Sequence, residues 1–541
     1  MTCGKGRTPH VHKPFNASSR VAPSRPDTVP KFVDPVPIPE TLQPVGHQKG
    51  VPLFQITMRQ VEQQLHRDFP PTTVWGYEGQ YPGPTIEARV RQPILVRYLS
   101  ELPITHLLPI DTSVHGAATY LPQVRTVVHL HDGELPAEAD GHPEAWFTPR
   151  LTTHGPMFTT NLFRYPNRQR PTTLWYHDHA MGITRLNIYA GLAGFYLLRD
   201  ENDARLDLPS GPFELPLLIQ DRSFNRDGSL QYPATIPPEF FGNTNLVNGK
   251  VWPFLEVEPR RYRFRLLNGA NARFYNLMLK PAISMIQIGG DGGYLKRAVA
   301  VKEILLAPAE RADVIIDFTG LEGATVTMTN DAPTPFPTGT PPARHTRVVM
   351  QFRVTLPRSG RDRSRIPRDL PAGPFPRLRD VVRSRDLILD QQKDHMGRQM
   401  SLLGIRDMHG RPLPLHWGDA TTEKPRLGTV EIWRLINTTV DTHPIHLHLV
   451  RFLILDRQPF DVERFRSAGE LVFTGPAVPA AENERGMKDT VRANPGEVTR
   501  FAVRFGRYTG EFVWHCHILE HEDMEMMRRM EVIAEDSNRR R

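Results

Sequence analysis

Four His-x-His pairs lie on apolar, β-rich runs of this chain, and they constrain its fold more than any other feature. They are His129/His131, His177/His179, His446/His448 and His515/His517. In a strand, residues i and i+2 point to one face. Each pair therefore presents two imidazoles on one side, as a metal cluster requires. With 22 histidines in 541 residues, chance matches to the His-x-His template amount to roughly one. A fifth pair, His10/His12, has no strand around it and reads as incidental.

The last pair encloses a cysteine, in FVWHCHILEHEDMEMM (Phe512–Met527). On a strand Cys516 points away from the side shared by His515 and His517, so one strand can feed two metal sites. A thiolate with two imidazoles and a weak axial thioether makes a blue-copper electron-transfer site. His521 follows the cysteine by five positions and Met526 by ten, and His443 from another strand completes that set. A structural zinc site would use several cysteines or stop at four ligands. Ten histidines and one useful cysteine suit copper better.

Composition sets the frame. The 52 prolines and 39 glycines read as many turns between short strands, an all-β pattern. Residues 1–30 are polar, basic and rich in Pro and Ser, and read as a disordered basic tail. Residues 31–204, 205–355 and 386–536 read as three β-sandwich domains, with a linker rich in Pro, Arg and Asp at 356–385. The formal net charge of +8 sits partly in segments that look disordered: the tail, Arg358–Arg368 and Asn538–Arg541. It reads as solvated basic tails, and no nucleic-acid-binding signature accompanies it. No run of 18 apolar residues predicts a membrane span. The N-terminus has neither an apolar core nor a twin-arginine pair, so no classical signal peptide is expected. Of two cysteines, Cys3 reads as a spare thiol. With Cys516 as a ligand no intramolecular disulfide forms, which fits a reducing compartment.

Four stretches, HLHDGELPAEADGHPEAWF, LWYHDHAMGITRLNIYAGLAGFYL, HPIHLHLVRF and VWHCHILEHEDMEMM, resemble the four copper-binding motifs of multicopper oxidases. The resemblance runs from about Lys31 to Ala534 and is strongest to bacterial spore-coat laccases, with bilirubin oxidases nearby. It implies three cupredoxin-like Greek-key β-sandwich domains and four coppers per chain. The type 1 copper would take His443, Cys516, His521 and axial Met526. The type 2 copper would take His129 and His446. The type 3 pair would take His131, His177, His179, His448, His515 and His517. By the same resemblance Asp140 and Glu522 are proton-relay acids for the reduction of dioxygen to water, which consumes protons.

The implied activity is one-electron oxidation of phenols or aromatic amines, coupled to four-electron reduction of dioxygen. The implied partners are a small aromatic reductant and dioxygen, with a monomeric chain in the cytoplasm or spore coat. Bilirubin or cuprous oxidation on the same scaffold is the nearest alternative. Met396, Met400 and Met408, with His395 and His409, are the stretch that would favour cuprous ion. A copper-free interaction protein or a structural spore-coat component is the alternative of another class. The GGDGG stretch (Gly289–Gly293) reads as a tight turn, because it lacks the Lys-Ser/Thr of a phosphate loop. Departures in NERGM (Asn483–Met487), in Arg411–Pro425 and in Asp111–Pro122 bear on substrate preference, not on metal binding.

Overall fold

The computed structural model describes residues 25–534. Cys3, His10/His12, most of the basic tail and Asn538–Arg541 lie outside the described residues. The chain is mostly β, arranged as six sheets. Two come from the first third of the chain, a seven-stranded and a five-stranded sheet from the middle, and an eight-stranded and a four-stranded sheet from the last third.

Alternation explains the pairing of sheets. In Ile94–Ser100 buried residues alternate with partly exposed ones, the pattern of a strand with one face on a core. Three large apolar cores result among the described residues. One holds Ile56, Trp75 and Tyr196; the next holds Leu217, Phe264 and Ile304; the third holds Trp433, Ile445, Phe501 and Trp514. At roughly 25 cal/mol per Å² of apolar surface, burying one such aromatic side chain contributes a few kcal/mol.

The strands that matter for the site are buried on both faces. Every residue of Thr172–Asp178 and of His443–Leu447 is buried. Register does the positioning. Val128–His131 runs antiparallel to Thr172–Asp178, so His129 stands directly opposite His177. In the last third, His443–Leu447 pairs with Gly510–Cys516, which sets Ile445 opposite Cys516 and His446 opposite His515. The strand expectation needs one adjustment. His179, His448 and His517 each follow directly on the last residue of their strand. The ladder ends there because the backbone turns away, yet rings two positions apart stay neighbours, at 5.1–5.8 Å between centroids.

The segment read as a linker at 356–385 also differs. It is irregular through Arg377, but a strand, Val381–Lys393, begins inside it. Parallel pairing with Val430–Asn437 overrides the polar composition. Nor is Arg358–Arg368 detached from the fold. Ser359 N–H donates to Glu258 and Arg365 N–H to the Asp207 carbonyl. No helix among the described residues is long and apolar enough to cross a membrane.

Candidate metal centre

Eight histidines converge where the first and last thirds of the chain meet, and all eight are buried. The tightest contact is a triangle: the Nε2 atoms of His179, His448 and His515 lie 3.2 Å from one another. His129, His131 and His177 form a second close group, and His129, His446 and His448 a third. Two ring pairs stack across the junction, His129 on His448 at 3.8 Å and His131 on His446 at 3.7 Å.

Outer hydrogen bonds fix which nitrogen faces inward. Nδ1 donates to a backbone carbonyl in His129 (Asp140, 2.5 Å), His177 (Asp178, 2.8 Å), His446 (Asp489, 2.9 Å) and His515 (Cys516, 3.1 Å). His448 Nδ1 lies 2.7 Å from the Asp140 carboxylate. That leaves Nε2 as the inward lone pair. His131 is turned the other way. Its Nε2 donates to Asp489 at 3.0 Å, so Nδ1 faces inward. The inward atoms of His129, His131, His177 and His446 have no hydrogen-bond partner, and neither ring nitrogen of His517 has one.

Buried polar atoms without partners are costly, and metal ligation would satisfy one nitrogen of each of these rings. Burial, then the neighbouring imidazoles, holds His129, His179, His448 and His517 well below the ordinary histidine value. The rings are therefore neutral, the form that binds a metal. The donor set fits a multinuclear copper site.

The second site sits behind the same strand. Cys516 Sγ lies 3.6 Å from His443 Nδ1 and 3.7 Å from His521 Nδ1, all buried. Met526 is buried in the same core, and its backbone closes a loop: its N–H donates to His521 O and its carbonyl accepts from Cys516 N–H. Burial pushes the Cys516 thiol well above its ordinary value, and a bound cation would reverse that by deprotonating it. The other nitrogen of His443 meets Thr439 Oγ1 at 2.8 Å. The other nitrogen of His521 faces Glu239 at 3.8 Å.

Both expected relay acids are beside the eight-histidine cluster. Asp140 contacts His448, and burial raises its carboxyl well above the usual range. Glu522 spans two rings, with Oε1 3.3 Å from His179 Nδ1 and Oε2 3.0 Å from His515 Nδ1. Every expected ligand histidine thus reaches one of the two sites.

Sequence reasoning missed three contributors. Asp489 holds His131 and touches His446, and is itself held by Arg311. Glu239 and Thr439 carried no local signal, because they come from loops whose approach depends on the fold. The methionines that a cuprous site would need do not come together. Met396 and Met408 are exposed in turns at opposite ends of the strand Gln399–Arg406, while Met400 is buried on it.

Comparison with known proteins agrees with this chemistry. Residues 60–203 and 393–536 each match a family model described as multicopper oxidase. A laccase of Bacillus subtilis (strain 168) is 49% identical, over 93% of this chain and 99% of that protein. A laccase of Haloferax volcanii is 40% identical, over 92% and 85%. Among solved structures, a laccase from Pediococcus acidilactici superposes with a TM-score of 0.72 at 25% identity, covering 94% of this chain and 95% of that one. The McoA multicopper oxidase of Aquifex aeolicus gives 0.72 at 26%, covering 93% and 99%. The paired sheets are cupredoxin-like sandwiches, the copper centres are those of this oxidoreductase class, and the chain belongs to the multicopper oxidase family.

Proposed function

We propose that the protein is a laccase-type oxidase that takes single electrons from phenols or aromatic amines and delivers them to dioxygen. The observation that carries this reading is the strand Gly510–Cys516 and its continuation, where Cys516 serves one site while His515 and His517 serve the other. Adjacent residues thus connect the two sites through a few covalent bonds.

His443, Cys516, His521 and Met526 would hold a type 1 copper. His129 and His446 would hold type 2, and His131, His177, His179, His448, His515 and His517 the type 3 pair. Bound copper supplies one-electron uptake at the first site and four-electron reduction of dioxygen at the cluster. Ligand basicity and ring orientation come from the carbonyls and from Asp489. Asp140 and Glu522 stand against the cluster rings, where they would pass on the protons that water formation consumes. Glu239 receives the donor's hydroxyl or amine beside His521, with Asp441 adding negative charge nearby.

We divide the chain accordingly into cupredoxin-like domains at 31–204, 205–355 and 386–536, acting as a monomer in the cytoplasm or spore coat. The copper-free alternative loses its basis, since every ligand position is filled and buried. The separation of Met396 from Met408 gives cuprous oxidation no assembled site of the expected kind.

The test is dioxygen uptake by copper-loaded protein with a dimethoxyphenol as donor. Rapid uptake is expected. Silence with copper content and blue colour intact would reject the phenol oxidase reading and turn attention to bilirubin and cuprous ion.

A further inference from the structure

Three arginines that no carboxylate neutralises face one groove, and we propose that this groove binds a multivalent oxyanion of the oligophosphate class. The groove has a volume of about 440 Å³ and is lined by Arg91, Pro93, Arg164, Pro166, Arg168 and Arg507. Among the described residues, Arg91, Arg164 and Arg168 take part in no ion pair. Arg507 alone has one, to Glu134 at 2.7 Å.

The convergence is built by the backbone. Arg91 and Asn167 both sit in left-handed turns, at φ 65° and 53°. The Arg91 N–H donates to the Asn167 carbonyl at 2.6 Å, and Asn167 Nδ2 donates to the Gln92 carbonyl at 2.8 Å. Tyr196 O–H donates to Asn167 Oδ1 at 2.6 Å, anchoring the turn from inside the protein. Arg164 stands opposite Leu95 on the Ile94–Ser100/Leu162–Tyr165 ladder and is exposed. The fixed φ of Pro93 and Pro166 stiffens the two approaches. Arg507 arrives from the last third of the chain.

Three unpaired guanidinium groups, joined by Arg507, give this concavity a positive field that favours an anion. A guanidinium fork matches phosphate oxygens bidentately and stays charged at any working pH. A chain of phosphates presents several charged oxygens at short spacing, so it can engage forks from both turns and from Arg507 together. Orthophosphate can engage fewer. The groove is built from residues that play no part in either copper site, so occupancy and oxidase chemistry are separable.

The experiment is calorimetric titration of inorganic tripolyphosphate into copper-loaded protein at low ionic strength. Three proteins are compared: the unaltered chain, R164E/R168E, and the control R361E/R363E, which makes the same charge change on the exposed linker. One tripolyphosphate per chain is expected, with affinity at least about tenfold weaker in R164E/R168E, since two charge-assisted contacts are lost and two repelling charges gained. The control should bind like the unaltered chain, and orthophosphate should bind more weakly than tripolyphosphate. Unchanged phenol-driven oxygen uptake in R164E/R168E shows that it is folded. The milder Arg164→Gln should weaken binding in the same direction. Absence of binding, or equal weakening in both double variants, overturns the proposal. Binding to a DNA oligomer but not to tripolyphosphate overturns it in favour of an extended polyanion.

Discussion

His131 and Asp489 stand 358 positions apart in the chain and meet in its interior, the imidazole Nε2 donating to the carboxylate Oδ1 over 3.0 Å. Arg311, from the middle third, donates to the same carboxylate. Burial alone would raise the Asp489 carboxyl, but Arg311 and His131 outweigh it and hold it well below the usual range. All three thirds of the chain therefore fix one ring of the cluster.

Asp489→Asn keeps the shape and removes the charge. Outer-sphere partners of metal-bound histidines typically contribute 10- to 100-fold in metal affinity or activity, so oxygen uptake should fall by at least about tenfold. Cluster copper should be lost while the blue absorption of the Cys516 site persists. Arg311 would keep Asp291 within 3.6 Å, which limits but does not remove the destabilisation of a broken buried pair. Metal analysis beside the visible spectrum checks this. Loss of blue colour together with cluster copper would show general unfolding instead.

Cys516→Ser should abolish the blue colour and phenol oxidation while leaving the eight histidines able to take copper. A hydroxyl is a harder, weaker donor to copper than a thiolate, and Cys516 is buried in an apolar core where an unligated hydroxyl gains nothing. The check is copper stoichiometry against the visible spectrum. Retained blue colour would assign the thiolate site elsewhere.

The two-sidedness of WHCH was legible because strand geometry alone separates Cys516 from His515 and His517. Every cluster histidine was legible for the same reason, with the family resemblance sorting them into sites. What strand periodicity does not encode is register between strands. That His129 faces His177 and Ile445 faces Cys516 follows from pairing across the sheets. Asp489 and Glu239 lay beyond local reading, since their meaning depends on which loop arrives beside them. The strand beginning at Val381 was hidden because four of its first six residues, VVRSRD, are polar or charged. Its stability comes from the neighbouring Val430–Asn437 strand, not from its own composition.

Glu239→Gln tests the donor side. Burial, reinforced by Asp441 and Glu520, raises the Glu239 carboxyl well above the usual range, and its oxygen lies 3.8 Å from His521 Nε2. If it receives a donor's hydroxyl or amine, the amide should raise KM for phenols by about tenfold, the equivalent of one weakened hydrogen bond of about 1.4 kcal/mol. Blue colour and copper content should stay constant, since Glu239 supplies no ligand. Steady-state kinetics on a phenol and on a donor without N–H or O–H groups separates the cases. An equal change for both would reject a contact with the donor's polar group.

Acid stability should trace to an ionic cluster that supplies no copper ligand. Glu214 lies between Arg199, Arg263 and Arg265, with Arg265 Nη2 at 2.6 Å and Arg199 Nη1 at 2.9 Å. Burial opposes its charge, but the three arginines outweigh burial and hold the carboxyl down to about 2. The folded value lies below the unfolded one, so the carboxylate stabilises the fold fully above the unfolded value. That contribution is lost as pH falls through about 2. Starting from an ordinary value near 4.5, the difference corresponds to about 3 kcal/mol at neutral pH. Glu214→Gln should therefore lower the melting temperature near neutrality and narrow the gap to the unaltered protein as pH falls from 4.5 toward 2. Thermal melts across that range, on copper-loaded protein and at constant ionic strength, check it. Two melting curves that stay parallel at every pH would show that Glu214 acts through packing, and the electrostatic account would fail.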